Sequence, residues 1–154
     1  MSSAVLSKEF ELLKDDLIKA YDAKGMRASG KFAETLEVKI QGLTAQIWGE
    51  DYSQQLETGR RAGRFPPISA IEQWIKDKAI ANRIEGQISI SSLAFLIARK
   101  IAQSGWKREE YGGVELISSV VTDERIQKII DEVGAEQAMI YTTEIITMVK
   151  QMAV

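Results

Sequence analysis

Cysteine and histidine are both absent from this chain of 154 residues. Without cysteine there is no disulfide, no thiolate nucleophile and no thiolate metal site, and a disulfide-stapled secreted fold is excluded. Without histidine the usual acid–base residue at neutral pH and the commonest transition-metal ligand are missing. Chemistry would have to run on carboxylates, lysine or tyrosine, so an enzyme is not expected. Proline is scarce, with only two residues, adjacent at Pro66-Pro67. No apolar run approaches the ~18 residues of a membrane span. The N-terminal MSSAVLSKEFELLKDD carries charge too early and too densely for a signal peptide. A soluble protein of a reducing compartment is expected. The net charge of −2 gives bulk electrostatics no preference for nucleic acid or acidic membrane, so any such contact would need a local patch.

What is present suffices for one folded domain spanning 1–154. Hydrophobic residues make up 45% and charged residues 27%, enough apolar surface to offset the entropy of ordering. Leu6, Phe10, Leu13, Leu17 and Tyr21 recur at steps of three and four, predicting an amphipathic helix that stops near Gly25. The period changes to two over residues 34–48, where Leu36, Val38 and Ile40 alternate with polar residues. Gln41-Gly42 is read as the turn, and Leu43, Ala45 and Ile47 as the apolar side of the return strand. Trp48 is read as covering the end of this hairpin, the alternative being an interface anchor.

Ser69 and Glu72 form a capping-box pattern that places a helix from about Ser69 to Ala79. A second helix starts near Ser91 or Ser92, with Leu93, Leu96, Ile97 and Ile101 as its apolar stripe. Ala94 and Ala98 leave room for another backbone, and Gly105 caps the end. Tyr111-Gly112-Gly113 reads as a turn or exposed loop, and Val114 to Val121 has a strand-like bias. Ile126, Ile129, Ile130 and Val133 predict a helix interrupted at Gly134. Ala138, Tyr141, Ile145, Val149 and Met152 predict helix again, against a β-branched content from Tyr141 to Val149 that also suits a strand. The fold class expected is α+β: an N-terminal amphipathic helix, a small antiparallel sheet, then packed helices.

Between the hairpin and the double proline, Gly59 and Gly63 bracket a loop carrying Arg60, Arg61 and Arg64. Guanidinium groups suit phosphate or carboxylate partners through planar bidentate bonding. The loop is either a solvated turn or a contact surface positioned by its ordered flanks. It lacks the Gly-Lys-Ser/Thr ending of a phosphate-binding loop. Arg99, Lys100, Lys107 and Arg108 extend the positive charge, although solubility and helix-dipole complementarity also account for them. Glu57, beside this loop, is expected to pair with one of its arginines or with an arginine of a neighbouring subunit.

Tyr52, Leu56-Glu57-Thr58-Gly59-Arg60-Arg61, Phe65-Pro66-Pro67, Trp74-Ile75 and the run from Ser92 to Ile101 (SLAFLIARKI) together resemble the tail-completion, or neck, proteins of tailed bacteriophages and prophages. The resemblance covers about residues 32–106; the flanking helices carry no distinctive motif. It implies a structural virion protein, one of a homo-oligomeric ring that joins portal or adaptor to tail around the DNA channel, assembled in the bacterial host cytoplasm. It implies no cofactor and no metal. Tyr52, Glu57, Arg60, Arg61, Arg64 and Phe65 are then the expected contacts with a neighbouring subunit or the channel, and no residue is expected to be catalytic. The basic loop would face an acidic helix surface of the next subunit, either Asp15, Asp16 and Asp22 or Asp131, Glu132 and Glu136. Two other classes stay open: a small nucleic-acid-binding regulator using Arg60, Arg61 and Arg64 with the cations near Trp106, and a carboxylate-dependent hydrolase.

Overall fold

The computed structural model describes residues 3–83, 86, 88–107, 113 and 115–152. Helix α1 spans Ala4–Ala23 and buries Leu6, Leu13, Leu17 and Tyr21, the predicted stripe. Ser3 caps it by accepting the Leu6 N–H at 3.0 Å, and Gly25 turns the chain at φ 69°. Glu9 is also buried on this helix. After the short α2 (Lys31–Thr35) come β1 (Glu37–Gln41) and β2 (Thr44–Trp48), paired antiparallel with Glu37 opposite Trp48 and Gln41 opposite Thr44. The fold class is α+β, as expected.

The register corrects the turn. Gln41 pairs with Thr44, so the two-residue turn is Gly42-Leu43, with Gly42 at φ 61°. Leu43 therefore sits exposed at the tip, and only Ala45 and Ile47 of the return strand join Ile40 against Leu6, Leu13 and Ile129. Trp48 is also displaced from its expected role. It is 53% exposed on the outer face, donating from Nε1 to the Gln46 side chain, with Lys39 Nζ 4.9 Å from its ring centre.

Helix α3 (Ser53–Thr58) leads into the arginine loop, and α4 (Ile68–Asp77) follows the double proline. Pro67, at φ −58° and ψ 120°, already occupies the cap position, so α4 begins at Ile68 and Ser69 lies inside its first turn. The expected Ser69–Glu72 capping box is therefore not made. A 3-10 turn (Ile80–Arg83) precedes α5 (Ile90–Ser104), whose cap is Ser89, accepting the Ser92 N–H at 3.1 Å. Ile71 and Ile75 of α4 meet Ala94 and Ala98 of α5, and the two alanines are completely buried, so the helix axes can approach closely. Leu93, Ile97 and Ile101 flank this seam. Leu96, placed in the same stripe from spacing, faces outward instead, because the alanines set which face α5 presents to α4.

Residues Leu116–Val120 form α6, not a strand. Leu116 is fully buried with Tyr21, Met26, Phe32 and Leu56. Helix α7 then runs unbroken from Asp123 to Met152, about 45 Å at 1.5 Å per residue. Gly134 does not interrupt it. One interior glycine costs about 1 kcal/mol relative to alanine, and Gln127–Asp131 and Lys128–Glu132 contacts brace the turns before it. The α7 start packs antiparallel to α1. Arg125 lies 3.4 Å from Asp16 and 3.7 Å from the buried Glu9, and Ile129 joins Leu6 and Leu13. Glu136 reaches the α1 N-terminus, accepting from the Ser3 hydroxyl and from the N–H groups of Ala4 (3.1 Å) and Val5 (3.3 Å). Among the described residues no helix is long and apolar enough to cross a membrane.

Candidate interaction surface

The arginine loop is held by backbone pairing. Arg60 N–H donates to the Trp106 carbonyl at 3.0 Å, Trp106 N–H returns to Arg60 at 2.9 Å, and Gly63 N–H donates to Ala102 at 2.8 Å. The loop is thereby fastened to the C-terminal end of α5. Glycine is required on both sides of this seam. Gly59 (φ 75°) would bring a Cβ within 2.5 Å of the Trp106 carbonyl oxygen, and a Cβ on Gly105 (φ 64°) would overlap the Arg60 carbonyl.

The pinned backbone leaves the Arg61 and Arg64 guanidinium groups displayed. Arg61 and Arg64 are exposed; Arg60, half-buried, donates from Nη2 to the Arg64 carbonyl at 3.3 Å. Segment 59–107 holds nine lysines and arginines against three carboxylates. Every ion pair among the described residues lies outside this segment. This segment therefore carries an excess of positive charge with no ion pair among its described residues, a pattern hidden by the near-neutral total.

Glu57 does not pair with an arginine. Its carboxylate accepts from the Ile117 N–H at 2.6 Å, the Ser118 N–H at 3.2 Å and the Ser118 hydroxyl, closing the first turn of α6. The carboxylate thus satisfies donors that a five-residue helix would otherwise leave orphaned. The Leu56 and Glu57 carbonyls also accept from Gly113 and Glu115, so α3 and α6 form one block.

Tyr52 lies half-buried at the start of α3, packed against the cluster of Tyr21, Met26, Phe32, Leu56 and Leu116. Burial, then the neighbouring Tyr21 and Glu50, push its phenol up to about 12. Tyr52 and Glu57 are therefore tied into the fold, whereas Arg61, Arg64 and Phe65 are displayed. Phe65 is half exposed and stacks on Phe95 of α5 with ring centres 6.0 Å apart. Beside this pair, Ile68, Ser91, Ser92, Phe95 and Leu96 line an open cleft of about 450 Å³.

Apart from the exposed Asp15, the acidic residues expected to receive the loop have uses within the chain. Asp16 contacts Arg125, Asp22 grips Arg27 at 2.7 Å, and Glu132 lies 3.5 Å from Lys128. Asp131 accepts from Gln127, and Glu136 caps α1. The Ser3 hydroxyl, more than the backbone donors, holds the Glu136 carboxyl below the usual carboxylate range. Arg108, Tyr111, Gly112 and Val114 lie outside the described residues. Among the described residues no three carboxylates converge into a set able to hold a metal ion.

Sequence reasoning missed one surface, the outer side of α7. From residue 138 to 152 every position is exposed, including Tyr141, Ile145, Met148 and Met152. Periodicity placed Tyr141, Ile145 and Met152 on a helix but did not single the face out as a surface. The paucity of charge there, Glu144 and Lys150 alone, was the available signal. Comparison of the chain with protein-family models, with curated proteins and with solved structures finds no match.

Proposed function

We propose that this chain is a structural subunit of a phage head–tail junction: one member of a ring that joins or seals portal and tail around the DNA channel, with no catalytic role. The observation that carries it is the segregation of charge, with a pinned loop presenting Arg61 and Arg64 on a surface whose cations have no ion-pair partner in the described chain. Such a surface suits anionic neighbours, either the acidic parts of adjacent subunits or phosphates passing through a channel. The residues on which the resemblance to neck proteins rests lie in the same region, from Tyr52 to Ile101. Ring formation needs two different complementary patches per subunit, and the exposed apolar surfaces on α5 and α7 supply candidates for them.

Negative-stain electron microscopy of the purified chain tests this. Closed annuli with an opening wide enough for duplex DNA are expected. Monomers, simple dimers or open filaments would overturn it. A small nucleic-acid-binding regulator is the second reading, favoured by the same unpaired arginines. It requires the dispersed chain to bind a short DNA duplex, with affinity falling steeply as salt rises.

A further inference from the structure

Helix α7 has two faces with opposite fates. Ile129 and Val133 pack toward α1, whose cap Ser3 lies level with Glu136. At about 100° per residue, another set falls on one line: Ile126, Ile130, Gly134, Ala138, Tyr141, Ile145, Met148 and Met152. The steps are four or three residues throughout, the repeat of a helix that packs against a partner. All eight positions are exposed, Ile145 at 60%, and a Cβ added to Gly134 would meet nothing within 4 Å. Beyond Glu136 the helix extends for roughly four more turns. Isolated helices of that length are marginal in water, so this one needs a covering surface.

Charge identifies the cover. Asp123 stands on the line at its N-terminal end, Glu124, Asp131 and Glu144 lie at its edges, and Arg125, Lys128 and Lys150 fall about a third of a turn or more from its centre. The face is apolar apart from Gln127 and Gln137, with an acidic border. Two copies of it pressed together would juxtapose carboxylates, which opposes α7–α7 pairing. The complementary surface is on the same chain. Helix α5 contains no acidic residue, and its outer side displays Phe95 and Leu96 beside Arg99. Phe65 and Ile68 extend the apolar area, and the exposed Arg64 adjoins Phe65 in the chain.

We propose that the outer face of α7 from one copy docks on the α4–α5 outer face of a second copy, its apolar line against Phe65, Ile68, Phe95 and Leu96 and its acidic border against the cations of that face. The contact is head-to-tail, since it uses a different surface on each partner and leaves one of each unfilled for the next copy. It deepens the ring reading by naming the two surfaces, and it rests on that reading only for closure of the chain of contacts.

Two single variants test it, Ile145→Glu on α7 and Phe95→Glu on α5, both at exposed positions where the fold should persist, as checked by circular dichroism. Wild-type protein is expected to form multi-subunit assemblies, and each variant alone to remain monomeric. Mixed in equal amounts, the variants retain one intact pair of surfaces: α7 of the Phe95→Glu chain and α5 of the Ile145→Glu chain. A one-to-one dimer and nothing larger is therefore expected by analytical ultracentrifugation. A monomeric wild type, unimpaired assembly of either variant, or a mixture that fails to dimerise would each overturn the contact. Annuli that survive both substitutions would overturn the contact and leave the ring reading standing. Open filaments abolished by both would keep the contact and remove the ring.

Discussion

The α1-centred body and the α4–α5 pair handle charge in opposite ways. In the body, carboxylates are fastened to the fold. Glu9 and Asp16 flank Arg125 across the α1–α7 interface, Glu57 caps α6 and Glu136 caps α1. In the α4–α5 region, nine cations face three carboxylates and no ion pair forms among the described residues. Their cores differ too. The body packs large side chains, with Tyr21 and Phe32 rings 4.5 Å apart, whereas α4 and α5 close on two alanines. Electrostatics in the first region maintains structure; in the second it remains available for a partner.

The widest gap should appear between Arg125 and the free cations. Arg125→Met leaves the buried Glu9 without its cation, which should cost about 3 kcal/mol. Arg61→Met or Arg99→Met should change stability by no more than about 0.5 kcal/mol. Urea denaturation of the three variants, compared at low protein concentration to suppress assembly, measures the contrast. Equal losses for all three would erase it.

Next comes the seam joining the arginine loop to α5. Gly105→Ala forces a Cβ onto the Arg60 carbonyl at a positive φ, with an expected cost of about 2–3 kcal/mol. Hydrogen exchange at the Arg60, Gly63 and Trp106 amides should accelerate. Unchanged protection would mean that the loop is held by something other than this pairing.

Smaller effects belong to the caps, one from each region. Glu57→Gln keeps the shape but loses the charge that closes α6, for an expected loss of about 1–2 kcal/mol. Ser89→Ala, which removes the cap of α5, should lose about 1 kcal/mol. Thermal melts rank the pair, and the reverse order would contradict the assigned roles.

The pH dependence should be confined to the body. Glu136 is more acidic folded than unfolded, so its contribution is present above the unfolded pKa and is lost as pH falls through the lower folded value. Glu136→Gln should therefore flatten part of the acid limb of a stability–pH profile. Tyr52, pushed up to about 12, acts at the other end: its contribution is complete below the ordinary tyrosine range and disappears as pH rises through the folded value. Tyr52→Phe should lessen the alkaline loss of stability, and a profile identical to wild type would remove that role.

The parts legible in the sequence were those set by local period or local chemistry: the apolar stripe of α1, the hairpin, the Ala94/Ala98 spacing and the Gly105 cap. What could not be read depended on contacts distant in the chain. Glu57 finds its donors 60 residues later at Ile117, so no neighbouring motif marks it. Ser69 and Glu72 have capping chemistry, but Pro67 takes the position first. Val114 to Val121 favours strand by composition, yet buried Leu116 and the Glu57 carboxylate make its described part helical. Periodicity shows that α7 has an apolar line but carries no information on whether anything covers it. The arginine loop was visible from its glycines, and the structure adds that its backbone is clamped while Arg61 and Arg64 remain displayed.

The mass of the full chain in solution, followed by light scattering across protein concentration and salt, tests the central claim most directly. We expect the mass to rise with concentration from one 17.2 kDa subunit to a fixed multi-subunit plateau, and to fall as salt screens the acidic and basic borders. A mass fixed at one subunit across the whole range would contradict it.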